Sequence, residues 1–161
     1  MTNNFLRTSA AALGLAWLTG CATSPAPATI TDTAARTPQL STLNRLINDA
    51  GLAETLRGSG PYTVFAPSDD AFKAVPAKTM QELASNKDLL KSVLTYHVLP
   101  GKVLAANVKT GNAKTVQGAN VALGSAGSFV TVEDAVVQQA DVAATNGVVH
   151  VIDRVLMPPK R

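Results

Sequence analysis

The spacing of apolar residues changes about half-way along this chain. In the first half it is helical: Leu40, Leu43, Leu46, Ile47 and Ala50 recur every three or four residues, and Gly51 follows as a stop. Residues 52–57 predict a second short helix, ended by "GSGP". "YTVFA" (residues 62–66) is rich in β-branched and aromatic residues and predicts a buried strand that Pro67 stops. Ser68 is placed to cap the next helix. Asp69 and Asp70 fall in its first turn, where the helix dipole favours carboxylates. Pro76 ends that helix, "AKTMQELA" begins another, and a longer one is predicted over residues 88–96.

Beyond Gly101 the helical period disappears. Short Val- and Thr-rich runs alternate with Gly and Asn, with a turn signal about every ten residues or fewer, as in a meander of antiparallel strands. Helices first and strands second predict an α+β fold and not an alternating parallel one. No internal repeat is visible.

The N-terminus has a different character. Arg7 supplies a positive region, and residues 10–18 form an apolar run too short to span a bilayer. Leu18-Thr19-Gly20-Cys21 then resembles a bacterial lipobox, which makes residues 1–20 a signal peptide and Cys21 a lipidated mature N-terminus. Several acyl chains at roughly 0.8 kcal/mol per buried methylene anchor durably, where one chain is marginal. Residues 21–29, small and rich in Pro, Ser and Thr, read as a tether. Ala22, where an aspartate would favour inner-membrane retention, points to the outer membrane of a two-membrane cell or the outer face of a single membrane.

Composition is globular, and the net charge is only +3. Lys73, Lys78, Lys87 and Lys91 alternate with Asp69, Asp70, Glu82 and Asp88, so the basic face that nucleic-acid binding needs is not formed. Cys21 is the only cysteine, which excludes an internal disulfide.

The two histidines are the residues with most potential chemistry. His97 and His150 lack the closely spaced ligands of a zinc site, so neither metal nor cofactor is expected. Ser68, His97 and Asp153 could be imagined as a triad, yet Ser68 stands in "APSDDAF" and not in a Gly-x-Ser-x-Gly elbow. His150 and Asp153 are three apart on a predicted strand and so face opposite sides. His97 follows Leu90 by seven and Leu94 by three, on the apolar stripe of its helix. His150 lies between Val148 and Ile152 on a strand whose other face carries Val149 and Val151. Both are therefore expected to be hydrogen-bonded core residues.

Three stretches in order, "GPYTVFAPSDDAF", "TYHVLPGKV" and "ATNGVVHVIDRVLMPP", resemble the fasciclin domain over residues 30–158, with residues 159–161 as a tail. The resemblance implies a β-sandwich or wedge of about seven strands under a helical layer from the N-terminal half. It also implies a non-enzymatic adhesion or interaction module, with a passive envelope or matrix component as the alternative and a hydrolase as a remote one. The family's adhesive stretches map here onto Asp141 and Val142, where Ala140 and Val142 replace the usual Pro and Ile, and onto Tyr96 and His97. The partners expected are a membrane through the lipid and a protein or polysaccharide surface. Asp141 is alternatively a hydrogen-bonding residue of the turn leading to Asn146 and Gly147, which are expected to be structural.

Overall fold

The computed structural model describes residues 28–127 and 129–159. Six helices precede or flank the first two strands: α1 (Ile30–Arg36), α2 (Ser41–Asp49), α3 (Ala53–Arg57), α4 (Asp69–Lys73), α5 (Ala77–Ser85) and α6 (Lys87–Tyr96). Strand β1 (Tyr62–Pro67) lies between α3 and α4, and β2 (Val98–Pro100) follows α6. The remaining strands form the second half: β3 (Gly111–Lys114), β4 (Asn120–Ala126), β5 (Phe129–Val132), β6 (Ala135–Ala144) and β7 (Gly147–Ile152). The α+β reading and the seven strands thus hold.

Local sequence accounts for the element ends. Asn86 caps α6 by accepting from Asp88 and Leu89 backbone N–H groups, and Ser68 Oγ accepts from Ala71 N–H at the start of α4. Gly51, at φ +68°, supplies the left-handed residue after α2. α1 was not anticipated. Its signal is the capping box Thr29-x-x-Asp32, in which each side chain bonds the other residue's backbone N–H.

The strand order is β2-β1-β7-β6-β5-β4-β3. All neighbours are antiparallel except β1 and β7, which run parallel with Phe65 opposite His150. The meander expected from turn spacing describes β3 to β7, whereas the parallel pair joins strands far apart in sequence. After β3 the chain returns to β2 and the end of α6: Val116 N–H donates to Val98 O (2.8 Å) and Gln117 N–H to Thr95 O (3.3 Å). These bonds nearly close the sheet into a barrel whose connections form two rims.

The central pair β1 and β7 separates two cores. Val64, Ala66, Val149 and Val151 face the helices and pack with Ile30, Leu43, Ile47, Leu83, Leu90 and Leu94. Phe65 and Ile152 face inward with Leu99, Val121, Val130 and Val132. All six residues of β7 are consequently buried. Burial on both faces explains its unbroken apolar run, interrupted only by His150.

Candidate functional site

β6 gains two extra residues against β7. The register moves from Val137 opposite Ile152 to Gln139 opposite Val151, then to Val142 opposite Val149. The second slip leaves Ala140 and Asp141 facing His150, with Asp141 at φ +56°. A bulge strands one backbone N–H from the ladder. Here His150 satisfies it: Nδ1 accepts the Asp141 N–H at 3.2 Å. Because Nδ1 must accept, the ring proton is on Nε2, which donates to Val103 O at 2.8 Å. The Asp141 carboxylate reaches the same segment by accepting from Ala105 N–H at 2.8 Å. Thr63 adds a third hold, donating to Gly101 O (2.7 Å) and accepting from Val103 N–H (2.8 Å). His150 also stacks on Phe65, with ring centres 5.6 Å apart. The cluster fastens the connection between β2 and β3 to the sheet.

His97 makes a corresponding clasp between α6 and the segment after β7. It is the C-cap of α6, with Nδ1 2.8 Å from Val93 O and Nε2 accepting the Leu156 N–H at 2.9 Å. These partners assign its proton to Nδ1. Burial drives its pKa down to about 4, with the Val93 carbonyl opposing that shift in part. Tyr96, beside it, directs its hydroxyl at Glu133 Oε1 (3.1 Å) and Asn120 O (3.0 Å). Burial, reinforced by the Glu133 carboxylate, pushes the phenol up to about 12. Glu133 Oε1 also accepts from Ala122 N–H (2.9 Å), so it ties α6 to β4.

The other polar residues are separately engaged. Ser68 Oγ is held by Ala71 N–H, and Asp153 Oδ1 accepts from Val136 N–H at 2.7 Å. Neither meets a histidine in a relay. Asp69 accepts from Thr42 N–H (2.9 Å) and Ser41 Oγ (2.7 Å) and so caps α2 from a distance. Burial would raise its carboxyl, but these bonds outweigh burial and hold it below the ordinary range. Among the described residues, no group of three His, Cys, Asp or Glu side chains is arranged to hold a metal. What the buried polar residues do is fasten backbone.

Comparison with known proteins settles what this architecture is. The profile described as Fasciclin domain matches residues 38–158. The chain belongs to the fasciclin domain family. It is similar to Protein sll1483 of Synechocystis, at 46% identity over 133 residues, 81% of this chain and 74% of that one. It is also similar to cell surface glycolipoprotein MPB83 of Mycobacterium bovis, at 39% identity over 131 residues, 78% of this chain and 59% of that one. The solved domain pair of the insect cell adhesion molecule Fasciclin I superimposes with a TM-score of 0.65 at 18% identity, covering 81% of this chain and 51% of that one. That likeness shows the fold.

Within this fasciclin domain, several anticipated contact residues turn out to be internal. Tyr96 and His97 are buried, so the Tyr-His segment presents no side chain to a partner. Val142 is half-buried and packs on the helix-side core, because its position opposite Val149 faces α-helices and not water. Asp141 is exposed, yet it belongs to a strand and its carboxylate bonds Ala105, not the turn at Asn146. Asn146 is structural to a degree the sequence did not reveal. Its side-chain nitrogen donates to Leu56 O and Gly58 O, its Oδ1 accepts from Ile30 N–H (3.0 Å), and its backbone carbonyl accepts from Tyr62 N–H (3.0 Å). Gly147 follows because a Cβ there would collide with Tyr62 O. Cys21 lies outside the described residues.

Proposed function

We propose that this chain is an envelope lipoprotein, anchored through Cys21, whose fasciclin domain acts as a non-enzymatic adhesion or interaction module. The observation that carries this reading is the commitment of both histidines, Ser68 and Asp153 to backbone hydrogen bonds, which turns their chemistry toward fastening the fold. Recognition then belongs to the surface. The name of the mycobacterial relative, a cell surface glycolipoprotein, supports the anchored location. No helix among the described residues is long and apolar enough to cross a membrane, and the anchor proposed here is the lipid on Cys21.

The contact surface we favour is the exposed run of β6 that β5 leaves uncovered, residues 138–141, with the Asp141 carboxylate as its charge. Its partner is a protein or polysaccharide of a neighbouring surface.

Two variants test the reading. Cys21→Ser should move the chain from the membrane to the soluble fraction, and retention in the membrane would end the anchor hypothesis. Asp141→Asn keeps an acceptor for Ala105 N–H and tolerates the left-handed backbone, while removing the charge. Attachment of cells to surfaces should fall at unchanged thermal stability. Undiminished attachment would remove Asp141 from the contact surface.

A further inference from the structure

The two rims of the near-barrel differ in charge. One rim gathers the starts of β1, β7, β3 and β5 with the ends of β2, β6 and β4: Tyr62 pairs with Pro100 and Gly147, Ala144 with Gly147, and Ala126 with Phe129. The chain enters at this rim, where Thr145 N–H donates to Ala28 O at 2.9 Å. Its connections, residues 58–61, 101–110, 127 and 145–146, contain Lys102 and Lys109 and no carboxylate. Of the acids bordering this rim, Asp32 and Glu54 pair with Arg57, while Asp141, bonded to Ala105 N–H, keeps its charge. Phe129, at the β4–β5 hairpin, is 67% exposed and stands on this rim. The opposite rim carries Asp69, Asp70, Glu133, Asp134 and Asp153, against Lys73, which pairs with Asp70 at 2.7 Å, Lys114 and Arg154.

We infer that the anchored domain stands on the bilayer by its basic rim, with Phe129 in the headgroup layer and the acidic rim turned outward. This rests on the lipid anchor at Cys21 proposed above. Six residues separate Cys21 from Ala28, so the entry rim lies within about 25 Å of the anchor even at full extension. Lysines near an anionic leaflet are attracted, and an exposed aromatic ring is suited to the interface between headgroups and acyl chains. The carboxylate-rich rim is repelled by the same leaflet. The opposite rim also exposes apolar side chains, Val116, Val136 and Met157, but none is aromatic; charge, the aromatic ring and the point of chain entry together favour the basic rim.

The test uses the mature chain, lipidated at Cys21, in vesicles of phosphatidylethanolamine and phosphatidylglycerol. Trp17 is the only tryptophan and leaves with residues 1–20 on maturation, so the lipidated chain is already a silent background. On it, Phe129→Trp places a reporter on the basic rim and Asp134→Trp one on the acidic rim. Quenching by lipid spin-labelled near the headgroup should be several-fold stronger at position 129 than at 134. Adding Lys102→Glu and Lys109→Glu should reduce the quenching at 129 while the chain still sediments with the vesicles. Equal quenching, or stronger quenching at 134, in chain that co-sediments overturns the orientation and leaves the anchor standing. Chain that fails to sediment overturns both.

Discussion

Leu156 donates its backbone N–H to His97 Nε2 at 2.9 Å, across 59 residues of sequence. The bond needs an unprotonated Nε2, while the Val93 carbonyl needs a proton on Nδ1. Only the neutral ring meets both demands. The C-terminal segment after β7 is therefore held to the end of α6 by one tautomer of one histidine.

That geometry gives a pH dependence with a definite sign. The folded pKa of His97, about 4, lies below its ordinary 6.5, so the unfolded chain binds the proton first as pH falls. The stabilisation is fully present above about pH 6.5 and is lost progressively down to about pH 4. The whole loss is on the order of 3 kcal/mol, from roughly 1.4 kcal/mol per pKa unit. Urea midpoints between pH 7.5 and 4 should fall along this window, and His97→Gln should flatten that part of the curve. The lowered carboxyl of Asp69 withdraws its contribution only below its ordinary 3.8.

His150→Ala should destabilise the domain by about 2–4 kcal/mol. It removes the stacking on Phe65 and leaves Asp141 N–H and Val103 O without their partner. Nitrogen NMR of the wild type should show the proton on Nε2 in His150 and on Nδ1 in His97. Zinc should leave the melting temperature unchanged, since both rings already engage backbone groups through both nitrogens. A zinc-dependent rise that His150→Ala abolishes would contradict this assignment.

Asn146→Ala should cost a further class of contact, about 2–4 kcal/mol, because three backbone groups, from α1, α3 and the α3–β1 connection, lose their partner at once. Asn146→Asp should be no better at neutral pH: it would aim a carboxylate oxygen at two carbonyl oxygens. Chemical denaturation of the two variants checks both values.

At Asp141 the comparison between Ala and Gly separates backbone from side chain. Both lose the bond to Ala105 N–H, but only alanine carries a Cβ at φ +56°. Asp141→Ala should therefore be less stable than Asp141→Gly by about 1 kcal/mol. Val142→Ser should cost about 1–2 kcal/mol through lost packing on the helix-side core. Equal melting curves for the Ala and Gly variants would show that the bulge relaxes without strain.

Sequence by itself determined whatever depends on neighbouring residues. The stop at Gly51, the Ser68 cap, the period of α2 and α6 and the two-sided apolar run of β7 are all decided within a few positions, because caps and periodicity are local. Burial of both histidines followed from their apolar flanks. The pairing of those histidines with Leu156, Val103 and Asp141 was not legible, because backbone acceptors and donors carry no residue signature. Nor was the bulge: an extra residue in β6 exists only relative to β7. The same reason hid the inward turn of Val142 and the bonds Asn146 makes to three separate segments. Only the tertiary structure decides which backbone groups a fold leaves unpaired, and hence which side chains must satisfy them.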